Sequence, residues 1–459
     1  MTDTEKRTMI FETMPVKRAV LKQIMPAIAA QMITLIYNLA DTYFVGLIGD
    51  PRQTAAVTVA GSALLMVTAI SNLFGVGGAS AISRSLGVKD VTRANEISAV
   101  SFWGGALMGI LYALVFALFA RPILTVCGAT EATYELVYGY AKWVIIIGGP
   151  FTVLNTLLGN LIRAEGEAAV ASFGVALGGV INILLDPIFV LPSMLGLGAI
   201  GAGMATAISN LLATVYFFGY LYHKRKSTVI RLSMRYLSTA KKHLGVILSV
   251  GFPSALQTTL TVISISASLN FVSRYETEAL AGLGIAKKID QLPLFFTLGT
   301  ANGMMPFLAY NHAAGNQKRR KQAFRFGCMI ALAVTVSCLI VYEIFAPQLT
   351  ALFIDDPLTV EYGASFLRLM VIGMPLIAIA YPLVIQFQAM RKVKEAMICS
   401  LLRKGLLDIP FLFLLDAIWP LYGCMLVQPV VDFISLFVSF AFYRRIEKQD
   451  KSHTEEQKC

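Results

Sequence analysis

Twelve apolar runs, each longer than twenty residues and set off by charged or Gly/Pro-rich breaks, constrain this chain more than any other feature. A helix that crosses a bilayer needs about 20 predominantly apolar residues, and lipid offers no partner for an unpaired backbone group. The runs cover 20 to 47, 55 to 83, 94 to 119, 136 to 160, 168 to 191 and 199 to 222. After a basic stretch come 244 to 273, 279 to 309, 323 to 346, 361 to 389, 396 to 417 and 421 to 443. Charged residues make up only 14% of the chain, whereas a soluble domain carries about 25%. The reading is an all-α integral membrane protein of twelve transmembrane helices, and a soluble globular fold is excluded. The opening MTDTEKRTMI is polar and lacks the apolar core of a signal peptide, so the first run is read as a span.

Five segments follow: a cytoplasmic N-terminal segment (1–19), a first six-helix lobe (20–222), an inter-lobe linker (223–243), a second six-helix lobe (244–443) and a polar tail (444–459) expected to be disordered. Lys and Arg number 31 on the side of the N-terminus and 7 on the other. Cytoplasmic loops are enriched in them, so both termini are expected in the cytoplasm of a plasma (inner) membrane protein. That asymmetry also accounts for the net charge of +11 without a nucleic-acid partner.

Catalytic and metal chemistry find little support. The six cysteines (Cys127, Cys328, Cys338, Cys399, Cys424 and Cys459) form no CxxC, and His223, His243, His312 and His453 fall in or beside cytoplasmic loops without a motif. No GxxxxGK[ST] phosphate loop occurs. An enzyme is not expected, nor a cofactor beyond a coupling ion.

The two halves repeat. Pro26 matches Pro253 at an offset of 227, Gly75 and Gly87 match Gly303 and Gly315 at 228, Pro150 matches Pro375 at 225, and Asp186 and Gly201 match Asp408 and Gly423 at 222. Six helices per repeat is an even number, so both halves enter from the same side, as parallel repeats with a substrate cavity expected between them.

Charged groups at membrane depth are costly and mark function or pairing. Asp41 in YNLADTYFVG, Asp186 in INILLDPIF and Thr206 in GAGMATAISN all lie about 8–10 Å from the outer helix ends at 1.5 Å per residue. Asn182 precedes Asp186 by four residues and shares its helical face. Two carboxylates, an amide and a hydroxyl are hard oxygen ligands, suited to H+ or Na+ rather than a transition metal. Tyr37, Asn38, Gln257 and Thr261 are candidate cavity residues, with Asp432. For Asp432 two readings stand: it faces the cavity and attracts cations, or it pairs with Lys287 or Lys288. Asp408 is read as a local ion pair with Lys404, four residues earlier.

The stretches YNLADTYFVGLIGD, FGVGGASAISRSLGVKD, LIRAEG, GGVINILLDPIF and GAIGAGMATAISN, with GFPSALQ and GMMPFLAYNHAAGN in the second half, resemble the multidrug and toxic compound extrusion (MATE) family. The resemblance spans nearly the whole chain. It implies two six-helix lobes around a V-shaped central cavity, and export of amphipathic or cationic organic compounds in exchange for inward H+ or Na+. The family's first-lobe cation site carries over to Asp41, Asn182, Asp186 and Thr206. Some branches place carboxylates on spans seven and ten, where this sequence has Gln257, Thr261, Gln386 and Gln388, so no second-lobe site of that type carries over. The expected partners are small organic substrates and membrane lipids, with the protein functional as a monomer. The alternative is a flippase for a lipid-linked or polysaccharide precursor, which would want basic groups in the cavity.

Overall fold

The computed structural model describes residues 3–456 except 132 and 273, and these form helices and short connections without a strand. A short helix, α1 (Asp3–Thr8), and a π turn (Met9–Thr13) lead into α2 (Val16–Gly46), α3 (Pro51–Gly87) and α4 (Val91–Val126). Then come α5 (Tyr134–Ala141) and α6 (Gly149–Ala164), separated by a π segment, α7 (Ala168–Val190) and α8 (Gly198–His223). The later helices are α9 (Ala240–Val272), α10 (Thr277–Ala313), α11 (Gln317–Ala351), α12 (Pro357–Val371), α13 (Met374–Ala389), α14 (Val393–Leu401), α15 (Asp408–Ile418) and α16 (Gly423–Glu456).

Local sequence explains where several of these begin and break. Asp50 caps α3 by accepting from the Arg52 amide at 3.0 Å, with Pro51 at the first helical position. Asp90 and Asp356 do the same for α4 and α12, at 2.9 and 2.8 Å. Such a cap contributes about 1 kcal/mol by satisfying an otherwise orphaned amide. The chain bends by 48° between the helices joined at Gly148-Gly149-Pro150 and by 46° at Gly373-Met374-Pro375. Proline withholds a donor and glycine imposes no steric limit, so the same tripeptide pattern makes the same break in both repeats.

Among the described residues, nine single helices are long and apolar enough to cross a membrane, and counting each bent pair as one span gives eleven. The expected span 396 to 417 differs: it is divided into α14, a π segment (Leu402–Leu406) and α15. Its middle carries Arg403, Lys404 and Asp408, all three drawn inward by buried partners. The 31 Lys and Arg on the side of the N-terminus include Arg403 and Lys404, and the structure buries Arg403 and largely covers Lys404 instead of leaving them in a loop. The tail expected to be disordered continues α16 to Glu456, while Cys459 lies outside the described residues.

Packing groups the chain into two compact units, residues 1–259 with 303–323, and residues 260–302 with 324–459. One core of the first unit joins Val45, Ala60 and Val67 to Phe116, Val144 and Val190. The second is built on Phe271, Leu283, Phe366, Leu367 and Val431. Leu107, Leu114 and Leu118 of α4 and Ile340, Val341 and Ile344 of α11 stay exposed, as apolar faces turned to lipid must.

The N-terminal segment is docked rather than free. Lys6 pairs with Glu167 at 2.6 Å, Arg7 donates to the Glu165 carbonyl at 3.2 Å, and Tyr310 donates to Glu12 at 2.6 Å. Glu165 is buried in the connection after α6, where it accepts from Thr228 at 2.9 Å and from the Val229 amide at 3.0 Å. Burial pushes its carboxyl from 4.5 up to about 7, against the pull of those bonds and of Arg7. A raised carboxyl means that the folded state holds an extra proton between the two values. Its contribution to stability is therefore full below 4.5 and is lost as pH rises through about 7. Thermal melts at about pH 5 and pH 8 are expected to show this loss in the wild type, on the order of 3 kcal/mol, and a flatter profile in Glu165→Gln.

Candidate functional site

The first unit brings three of the four sequence-derived cation residues into direct contact. Asp186 lies on α7 one turn beyond Asn182, and Asn182 reaches across to Thr206 on the third turn of α8. The Asn182 amide donates to Asp186 Oδ1 at 3.4 Å and to Thr206 Oγ1 at 3.3 Å. Asp186 is fully buried, and Asn182, Thr206 and Asp41 are buried with it. Asp41 on α2 faces Asp186 closely enough for their charges to interact.

The approach of α2 to α7 depends on Gly179. A Cβ there would lie 2.8 Å from Ile33 Cγ2 and 3.0 Å from Tyr37 Cδ1. Half-buried Tyr37 is thus one of the α2 side chains that packs against α7 at this glycine. Gly179→Val is expected to push α2 away and separate Asp41 from Asp186, with overpacking costing about 1–3 kcal/mol. A cysteine pair placed across the two helices should then lose most of its cross-linking yield, and efflux should fall, although neither acid has changed.

Three buried oxygens here have no hydrogen-bond partner among the described residues: Asp41 Oδ1, Asn182 Oδ1 and Asp186 Oδ2. No Lys, Arg or His among those residues forms a salt bridge with either carboxylate. Unsatisfied acceptors in a low-dielectric interior are costly. Hard oxygen acceptors left without a donor are of the kind that a proton or a small hard cation can satisfy.

Sequence reasoning missed Tyr140. It is carried on α5, where its hydroxyl hydrogen-bonds the Asp41 carboxylate and lies within electrostatic reach of Asp186 and Tyr37. Position 140 is one of several tyrosines in a moderately polar helix, so nothing in its own segment distinguishes it. A second omission is the amide pair behind the site, in which Asn155 donates to Asn210 at 2.9 Å and Asn210 donates to the Thr206 carbonyl at 2.9 Å. These fix the turn of α8 that presents Thr206.

The cavity candidates fare differently. Asn38 is exposed on α2, and Gln257 and Thr261 are half-buried on α9, one in each unit. Asp432 has a partner that neither reading named. It is fully buried on α16 and its Oδ1 accepts from Arg403 Nε at 2.6 Å, so the ion pair it makes is with Arg403 rather than with Lys287 or Lys288. The Arg403 guanidinium in turn lies 4.3 Å over the Tyr381 ring. Asp408 does pair with Lys404, at 3.8 Å.

Comparison with known proteins gives a consistent picture. The MatE family model matches residues 26–188 and again 253–414, two stretches that begin 227 residues apart, the offset of the internal repeat. The multidrug export protein MepA of Staphylococcus aureus (strain N315) is 29% identical over 413 residues, 90% of each chain. MepA of Staphylococcus saprophyticus is 28% identical with the same coverage. A solved structure of a multidrug resistance MATE family transporter of the MOP superfamily, in an outward-facing conformation, shares the fold. It matches with a TM-score of 0.90 over 97% of this chain and 99% of its own, at 24% identity.

Proposed function

Since the chain belongs to the MatE family, and is therefore a membrane transporter rather than an enzyme, we propose that it is a secondary active antiporter exporting amphipathic or cationic organic compounds, drugs and toxins among them, for inward H+ or Na+. The observation that carries this reading is the cluster of partnerless buried oxygens on Asp41, Asn182 and Asp186 around Thr206. Two carboxylates without a basic partner hold uncompensated charge until a cation arrives. That dependence is what a coupling site needs, because its geometry differs between the ion-bound and ion-free states.

Neutralising Asp41 and Asp186 removes their repulsion and lets α2 repack against α7 at Gly179. The repacking shrinks the space for substrate on the other face of α2 and drives release. One proton moving down one pH unit supplies about 1.4 kcal/mol, and one charge crossing 100 mV about 2.3 kcal/mol. No nucleotide is required. The protein works as a monomer in the plasma membrane with both termini in the cytoplasm, a placement supported by the Lys and Arg asymmetry of the loops. The export of multiple drugs named for the MepA relatives supports the substrate class.

The test is efflux of a fluorescent cationic dye from proteoliposomes under a pH gradient and a sodium gradient imposed separately. Efflux driven by one gradient identifies the ion. If neither gradient moves the dye, the antiport reading fails, and movement of a labelled lipid under the same conditions would replace it with the flippase.

A further inference from the structure

The second unit contains the counterpart of this site, position by position. At the offset of 222, Asn182, Asp186 and Thr206 become Lys404, Asp408 and Gln428. At the offset of 227, Tyr37 and Asp41 become Ser264 and Ser268. The contacts repeat as well as the positions. Where Asn182 joins Asp186 to Thr206, Lys404 Nζ donates to Gln428 Oε1 and lies 3.8 Å from Asp408 Oδ2, while Gln428 Nε2 donates to Asp408 Oδ1 at 2.7 Å. Ser264 and Ser268 line one small hollow with Asp408, on the side where Asp41 approaches Asp186 in the first unit.

Charge is what differs. The first site has two carboxylates and no base; its counterpart has one carboxylate, two hydroxyls and an ammonium. An ammonium is a monovalent cation with three N–H donors, here delivered on a covalent tether into the place between the amide and the acid. We propose that Lys404 is a built-in substitute for the cation, so that the second unit holds a duplicate cation site which exchanges no ion in the intact chain and accepts a monovalent cation or proton once the ammonium is removed. Coupling then runs through the first unit alone. This rests on reading the first site as a cation site.

Other charged groups face the network. Lys287 and Asp290 of α10 lie within electrostatic reach of Lys404, and Lys287 also of Asp408. The Arg403–Asp432 pair, stacked on Tyr381, adjoins it on the π segment and α16. The test therefore has to attribute any new response to Asp408. In full-length protein carrying Asp186→Asn, thermal melts are recorded with sodium chloride replacing choline chloride, and across pH. With Lys404 present the melts are expected to be flat toward sodium. Lys404→Asn is expected to gain a shift of several degrees with sodium or with acid, as linkage to a bound cation requires. Lys404→Arg is expected to stay flat, and Asp408→Asn added to Lys404→Asn is expected to abolish the gain.

A flat Lys404→Asn, or a gain that survives Asp408→Asn, overturns the proposal. So does failure of both Lys404→Asn and Lys404→Gln to fold at any sodium concentration or pH tried, because the ammonium would then be irreplaceable by an ion. The chain with Asp186 intact separates the two readings: a sodium or proton response that Asp186→Asn removes belongs to the first site and leaves the second-unit test unaffected.

Discussion

Asp186→Asn is expected to abolish most gradient-driven efflux while leaving the protein at least as stable as the wild type. The acid is fully buried, its Oδ2 has no hydrogen-bond partner, and its contacts are Asn182 and the charge of Asp41. An interaction with a charged group is worth about 1.5–3 kcal/mol, and each 1.4 kcal/mol is tenfold, so a loss of about 10- to 100-fold in ion-driven rate is expected. Asparagine keeps the shape and removes an uncompensated buried charge, so thermal unfolding should not move downward. Asp41→Asn is expected to behave alike. A variant that melts normally and still couples efflux to the gradient as the wild type does would remove Asp186 from the mechanism.

The opposite sign is expected at Asp432. Its carboxylate is as deeply buried, but Arg403 holds it at 2.6 Å and Tyr381 stacks on the guanidinium. Removing one partner of a buried ion pair strands the other charge, at about 3–5 kcal/mol. Arg403→Met is therefore expected to lower thermal stability sharply. Replacing both residues with apolar ones, in Arg403→Met with Asp432→Leu, should recover most of the loss, since the pair itself contributes little beyond mutual compensation. Thermal melts of the two single variants and the double variant measure this as a cycle. Equal losses for the single and double variants would show that the pair holds α16 to the broken helix by itself.

These two acids show how far the sequence alone reaches. Each stands out as a charge at membrane depth, and that signal alone does not separate a coupling group from a structural pair. Asn182 precedes Asp186 on the same helix at a spacing of four, so one periodicity argument reaches both, and the depth they share with Thr206 reaches the hydroxyl. Arg403 stands 29 residues from Asp432 and lies in a run that resembles a cytoplasmic connection, with Arg391, Lys392, Lys394 and Lys404 around it. Tyr140 and Asp41 lie on helices that are distant in sequence, and no local pattern relates them. The docking of Lys6 on Glu167 is invisible for the same reason.

What the amino-acid order settled by itself was everything that depends on near neighbours. The apolar runs dictate membrane-spanning helices, because an unpaired backbone group has nowhere else to go in lipid. Asp50, Asp90 and Asp356 start helices and the Gly-x-Pro triplets break them, because caps and missing donors act within one turn. The nearly constant offset between halves declares the repeat. Tertiary structure decided which faces meet: Gly179 brings α2 onto α7, and the partner found by each buried charge determines its role. Asp186 meets the Asn182 amide and the charge of Asp41, with no basic partner among the described residues, while Asp408, at the same place in the repeat, meets the ammonium of Lys404.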